Sequence, residues 1–157
     1  RSYKPGVEGP NPSGRTQNFL NNLNKKFQFL SHTADIRIKI FGKTQEELFN
    51  NALEALNNYL GTFKETPDLK EQKFQVASKS IEILLIDFLN EALFYIQTEN
   101  KLISKVEFSK LTDNKAQGKF FLKNAEIKKD VKAVTYHDLV LENNNNKNLS
   151  IIITLDI

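Results

Sequence analysis

The feature that most constrains the fold is an apolar helical pattern that follows Ser80. Large apolar residues recur there at the three- and four-residue spacing of one broad helix face: Ile81, Leu84, Leu85, Phe88, Leu89, Ala92 and Ile96. The Ser80 hydroxyl can cap the first turn, and the pattern runs to about Thr98. Polar residues interrupt it, so it does not suit a bilayer. We therefore predict a helix at the centre of one core.

A shorter helix and two strands precede this pattern. Residues 27–30 form the first predicted strand, and residues 35–41 alternate isoleucine with polar residues, as in a half-buried strand. Thr44 and Glu47 have the spacing of a capping box. The helix that they open is predicted over residues 45–60, where Gly61 stops it.

The rest of the chain reads mainly as strands. We predict them at residues 73–77, 103–110, 117–123, 132–142 and 149–156, with the asparagine run 143–146 and Lys147 as a solvated hairpin loop. With 157 residues the chain is too short for two ordinary domains. This order favours a single α+β domain with a largely antiparallel sheet and two main helices.

The N-terminal residues differ in composition from the rest of the chain. Residues 1–25 hold three of the four prolines and three of the six glycines, and we interpret them as a flexible N-terminal arm before a domain at 26–157. The absence of an initial Met indicates a fragment, a processed form or a tagged chain.

The positive charge of the chain is concentrated at its N-terminus. Residues 1–26 carry five basic residues and one acidic residue, a net charge of +4. The whole chain has a net charge of +3, which leaves −1 for the remainder. We therefore predict no phosphate-binding face on the folded part.

Common catalytic templates find no match. The chain has no Cys and only two His, so a structural zinc site would lack ligands. Asp35 and Asp156 instead lie at the ends of predicted strands, and Ile157 follows with the terminal carboxylate. If the strand ends are neighbours, these oxygens would suit Ca²⁺ or Mg²⁺. The alternative is that both are ordinary surface aspartates.

Other polar residues have two interpretations each. Asp87 and Glu91 lie one helical turn apart, either as a functional pair or as a solvated stripe that anchors loops. His32 and His137 are either functional or structural imidazoles.

Four segments together carry a family resemblance. Residues 27–35, which include the sequence His32-Thr33-Ala34-Asp35, resemble the opening motif of the archease family. Residues 84–91 are similar to its helix motif, residues 131–137 to its strongest signature, and Asp156-Ile157 to its ending. The motifs occur in family order and span residues 27–157.

The resemblance implies interleaved strand-helix-strand-strand units and an accessory protein without catalytic activity of its own. It implies a divalent metal ion on Asp35, Asp156 and Ile157, with Ca²⁺ expected in vitro and Mg²⁺ or Mn²⁺ as alternatives. Further functional or supporting residues would be His32, Asp87, Glu91, Lys132, Thr135 and His137. The implied partner is an RtcB-type tRNA-splicing RNA ligase, which the protein would activate by promoting guanylylation and multiple turnover. Contact with tRNA halves would be indirect, no membrane is involved, and the location would be cytoplasmic or nuclear.

Two other functions compete with this one. Asp35 and Asp156 on a metal, with His32 or His137 as acid or base, would describe a metal-dependent hydrolase or nuclease. A general chaperone or RNA-binding module is the other alternative. Turnover by the isolated protein would favour the hydrolase, and salt-dependent RNA binding would favour the module.

Overall fold

The structure is a computed structural model that describes residues 25–30, 34–144 and 148–157. Within these ranges the chain forms two helices, α1 (Gln45–Leu60) and α2 (Ile81–Glu99). The strands in the same ranges are β1 (Phe27–Leu30), β2 (Ile36–Gly42), β3 (Gly61–Phe63), β4 (Leu69–Ala77), β5 (Lys101–Leu111), β6 (Lys115–Ile127), β7 (Ala133–Thr135), β8 (Glu142–Asn144) and β9 (Asn148–Asp156). Neither helix is long and apolar enough to cross a membrane.

The strands form two antiparallel sheets. The five-stranded sheet has the order β1-β2-β9-β7, and β8 also pairs with β9. In the four-stranded sheet β6 is central and pairs with β3, β4 and β5. All these pairs are antiparallel, and the α+β prediction is confirmed.

Local capping chemistry defines the start of each helix. The Thr44 hydroxyl accepts a hydrogen bond from the Glu47 amide, and the Glu47 carboxylate accepts one from the Lys43 amide. The Ser80 hydroxyl accepts one from the Ile83 amide. Such caps satisfy the amides that lack a partner in the first turn of a helix. Because the residues of each cap lie close together in the chain, both caps could be predicted from the sequence.

A cluster of aromatic rings joins both helices to the four-stranded sheet. Phe88 of α2 is fully buried, and its ring centroid lies 5.3 Å from that of Phe49 in α1. It lies 5.6 Å from both Phe74 and Phe120 and 5.5 Å from Phe108. The helix predicted to be central therefore packs at the middle of the core.

Two predicted elements differ from the structure, and one strand was not predicted. The strand predicted over 132–142 is wrong, because only residues 133–135 and 142–144 pair, each with a different part of β9. Asn143 and Asn144, which were predicted to lie in a hairpin loop, belong to β8 instead, and residues 145–147 of that loop lie outside the described residues. β3 was not predicted, because three residues are too few to show a period. The arm proposed for residues 1–25 lies outside the described residues except for Lys25.

The outer face of the four-stranded sheet is rich in lysine. Ala116, Phe120 and Leu122 of β6 are buried. The odd-numbered residues from Lys115 to Lys123 alternate with them and therefore point away from the core. Cross-strand partners share that face. The charged residues on it are Lys73, Lys105, Lys110, Lys115, Lys119 and Lys123 with Glu71 and Glu107, a net charge of +4. We call this surface the lysine face.

The premise behind the predicted absence of a phosphate-binding face, that the folded part holds no local surplus of basic residues, was therefore wrong. In the net charge of the whole chain, the positive charges of these lysines are cancelled by acidic residues elsewhere. Strand alternation separates the two sets, because every second residue of a strand lies on the same face.

Candidate metal centre at the strand ends

Asp35 directly precedes β2, and Asp156 is the last residue of β9. The register pairs Ile36 with Leu155 at this end of the ladder, and continued by one residue it would set Asp35 across from Asp156. Both aspartates are exposed, and they leave their strands on the face opposite the buried Leu155. This register directs Asp35 and Asp156 to the same end of the sheet, where Ile157 follows directly, and metal binding by these three residues stays a prediction.

Like charges facing each other on neighbouring strands are unfavourable. Such a pair typically costs a few tenths to about 1 kcal/mol. Arg37 lies on the same face, but it makes no ion pair with either aspartate among the described salt bridges. A divalent cation held between the two carboxylates would remove this repulsion.

The donor chemistry of this end fits a hard cation. In the described part of the chain, no group of three or more His, Cys, Asp or Glu side chains is placed to hold a metal. If Asp35 and Asp156 bound one ion, its further ligands would have to be main-chain oxygens or water. Ca²⁺ accepts such mixed oxygen sets of six to eight ligands.

Asp87 fixes the segment that follows β6. It accepts hydrogen bonds from the Ser78 hydroxyl, just before α2, and from the Tyr136 hydroxyl, just after β7. The hydrogen bond to Asp87, followed by partial burial, raises the pKa of Tyr136 above its ordinary value of 10.0. The structure thus gives Asp87 the anchoring role of its two interpretations.

Two amides of α2 complete this attachment. The Asn90 side chain donates to the Val134 carbonyl at 2.9 Å and accepts from the Val134 amide at 2.8 Å, as a neighbouring strand would. Gln97 donates to the Val131 carbonyl at 2.8 Å. Roles for Ser78, Gln97 and Tyr136 were not predicted from the sequence. Gln97 could have been found among the polar residues of α2, whereas Ser78 and Tyr136 lie outside the helices and no local pattern marks them.

The other candidates are distributed around this segment. Lys132 is exposed, and its amide donates to the Asp156 carbonyl at 2.8 Å, which ties the segment to the end of β9. The Thr135 hydroxyl accepts from the His137 amide at 3.5 Å.

His137, Glu91 and His32 lie apart from the aspartate pair or beyond what the structure describes. The exposed His137 ring lies 3.0 Å from the carboxylate of Asp138, not against Asp35 or Asp156. Glu91 is half-buried on α2. The burial of Tyr95 and, to a lesser extent, the negative charge of Glu91 raise the pKa of Tyr95. His32 lies outside the described residues.

Comparison with known proteins decides the family. A profile described as the archease protein family (MTH1598/TM1083) matches residues 27–157. The chain belongs to the archease family. The match covers every described residue except Lys25 and Lys26.

Individual archeases agree with this assignment. The archease of Pyrococcus furiosus is 32% identical over 126 residues, which are 75% of this chain and 89% of that protein. The archease of Methanosarcina mazei is 28% identical over 127 residues, or 75% of this chain and 87% of that one.

Two solved structures have the same fold. The solution structure of Methanobacterium thermoautotrophicum protein 1598 is similar with a TM-score of 0.66 and 28% identity, over 84% of this chain and 99% of that one. A crystal structure from Thermotoga maritima, described as an archease and possible chaperone, has a TM-score of 0.60 and 24% identity over 82% and 94% of the two chains. The latter likeness concerns the fold alone.

The hydrogen bond between Tyr136 and Asp87 should give this archease a measurable pH dependence. A raised pKa means that the bond stabilises the protein fully below the unfolded pKa, near 10.0, and that this contribution is lost as pH rises through the folded pKa. Tyr136→Phe should therefore lower the free energy of unfolding at pH 8 by about 1 kcal/mol or less, since Tyr136 is half exposed. Urea unfolding at pH 8 and pH 11 tests this, and the difference between the two proteins should shrink at pH 11. A difference that grows would contradict the assignment.

Proposed function

We propose that this archease is a non-catalytic accessory protein that activates an RtcB-type RNA ligase by promoting its guanylylation and multiple turnover. Membership of the family supports the accessory role. The observation that supports the proposal for the site is the pairing of Ile36 with Leu155, which directs Asp35 and Asp156 to the same exposed end of the five-stranded sheet.

Asp35, Asp156 and an oxygen of Ile157 would hold a divalent cation. Ca²⁺ suits this flexible oxygen set best, and Mg²⁺ or Mn²⁺ are the alternatives. When bound, the ion would supply positive charge and coordination positions for oxygen ligands of a partner. The two aspartates are exposed, which makes this end accessible to a macromolecule.

The chain's own residues would present this end to the ligase as a rigid surface. Asp87 and Asn90 attach residues 131–136 to α2, and Lys132 attaches the same segment to Asp156. Lys132 is thereby held beside Asp156, and Thr135 lies on the same segment across from Thr154. Binding would favour the guanylylation-competent state of the ligase only to the extent that this surface fits that state better than the others.

Replacement of either aspartate tests the proposal. Asp35→Asn and Asp156→Asn keep the side-chain shape but remove one negative charge, and each should reduce stimulation of ligase guanylylation by about tenfold or more. The measurement is single-turnover guanylylation and multiple-turnover RNA joining by the cognate ligase. Asp113→Asn, in the turn between β5 and β6, makes the same charge change at an exposed position and should leave stimulation intact.

A second readout tests the metal without the ligase. Ca²⁺ should raise the unfolding temperature of the natural protein and of Asp113→Asn but not that of Asp35→Asn, since binding to the folded state alone stabilises it. Full stimulation by both aspartate variants would refute the role of the site. Absence of stimulation by the folded natural protein would refute the activator role itself.

A further inference from the structure

The lysine face, defined above on the outer side of β4, β5 and β6, lies on a different sheet from the candidate metal centre. We propose that this face binds a strand of RNA. Its charge complements a phosphate backbone, and its aromatic residues offer a surface for bases. The choice of RNA over DNA rests on the proposed function, whereas binding of a nucleic acid strand does not.

The two acidic residues of the face are already engaged. Glu71 lies 3.0 Å from the Lys119 ammonium group, and Glu107 lies 2.9 Å from that of Lys105. The neighbouring Glu71 and Glu107 raise the pKa of Lys119, which remains fully charged near neutrality. Both ion pairs are solvent-exposed, so a phosphate group can compete for their lysines.

Four further lysines are available for phosphates. In the part of the chain that the structure describes, Lys73, Lys110, Lys115 and Lys123 form no ion pair. They are distributed over all three strands. Neighbouring strands lie about 4.8 Å apart, and alternate residues along a strand about 6.6 Å apart. The positive charge therefore covers an area that a flexible strand of phosphates can follow.

Aromatic rings lie among these lysines. Phe121 occupies the outer face between Glu71 and Lys105, although its neighbours Phe120 and Leu122 belong to the buried core. The Lys105 ammonium group lies 5.0 Å from the centre of its ring. Phe63 is 41% exposed, and the Lys123 ammonium group lies 5.9 Å from its ring centre. Lysines beside rings are the arrangement that binds single-stranded nucleic acids by charge and by stacking.

The aromatic residues distinguish RNA from other polyanions. An acidic protein would also be attracted to the lysines, but it would have few flat rings that could stack on Phe121 and Phe63. Gln75 and Gln117, which pair across β4 and β6 on this face, add donors and acceptors that can reach base edges. We therefore expect RNA to bind more tightly than polyglutamate of equal charge.

The experiment measures binding of a fluorescein-labelled single-stranded RNA of about 20 nucleotides by the full chain, using fluorescence anisotropy between 50 and 200 mM KCl. One variant combines Lys73→Gln, Lys110→Gln and Lys123→Gln. A matched variant combines Lys39→Gln, Lys43→Gln and Lys79→Gln, which removes the same charge outside the lysine face. A third combines Arg1→Gln, Lys4→Gln and Arg15→Gln in the N-terminal segment.

The lysine-face variant should bind RNA about tenfold or more weakly at 100 mM KCl, and the slope of log affinity against log salt should fall by about 2, from roughly 0.7 per lost phosphate contact. The other two variants should change affinity by less than about twofold. Phe121→Leu should weaken binding several-fold without changing the slope, because it removes stacking and no charge. Circular dichroism and thermal unfolding confirm that each variant is folded.

Several results would overturn this inference. They are no binding at 50 mM KCl, equal weakening in the matched variant, weakening confined to the N-terminal variant, or equal affinity for polyglutamate. The assay contains no ligase, so its failure leaves the activator proposal standing, and failure of the ligase assay leaves this one standing.

Discussion

Phe88→Ala is expected to lower the free energy of unfolding by about 3–5 kcal/mol, the usual cost of truncating a fully buried phenylalanine. The Phe88 ring contacts rings from α1 and from all three long strands of the smaller sheet. Because four neighbours surround it, the structure cannot easily close the cavity. Urea denaturation followed by circular dichroism measures the change, as a shift of the midpoint at constant slope.

The same helix supplies the control for this prediction. Phe94 is 57% exposed and packs edge-on against Tyr95 at a centroid distance of 5.2 Å. Phe94→Ala should therefore change the free energy of unfolding by about 0.5 kcal/mol or less. Equal losses at the two positions would mean that the ring cluster is not the centre of the core.

Gly61→Ala should cost about 3 kcal/mol, although its backbone is in a conformation that any residue can adopt. Its φ is 174°, which is extended. A Cβ atom at this position would instead lie 2.0 Å from the carbonyl oxygen of Glu126, where α1 runs directly into β3 against β6. Main-chain atoms cannot rotate aside as a side chain can, so the strands must separate.

Hydrogen exchange locates the damage from Gly61→Ala. The Lys128 and Lys129 amides donate to the Leu60 carbonyl at 2.7 and 3.1 Å, and their protection should fall most. Thr62→Ala, at an exposed position of the same strand, should leave both the exchange pattern and the free energy of unfolding nearly unchanged. An unaltered stability in Gly61→Ala would show that β3 lies farther from β6.

Gly61 also shows how a sequence prediction can be correct for a different reason. The helix was predicted to stop there because glycine often adopts a left-handed conformation after a helix. The helix does end at Leu60, but the requirement at Gly61 is the close approach of β6, some 65 residues later. No local pattern contains that information.

Both helices could be predicted nearly to the residue because their causes are local. The caps at Thr44 and Ser80 act within one turn, and the apolar spacing of α2 repeats over its whole length. Residues 132–142 were mispredicted because their side chains suit a strand, while pairing depends on a partner. Residues 133–135 pair with β9 and also bond to the Asn90 side chain. Pairing with β9 resumes only at Glu142.

The sequence by itself determined the helices, the two-residue alternation of the longer strands, the α+β class and the polar residues at the strand ends. Each of these depends on interactions within a few residues of the chain. Only the tertiary structure decided that Ile36 pairs with Leu155 beside the two aspartates, that Asp87 holds Tyr136, and that six lysines share one face. These arrangements depend on sheet register and strand order, which are set by packing between residues far apart in the chain.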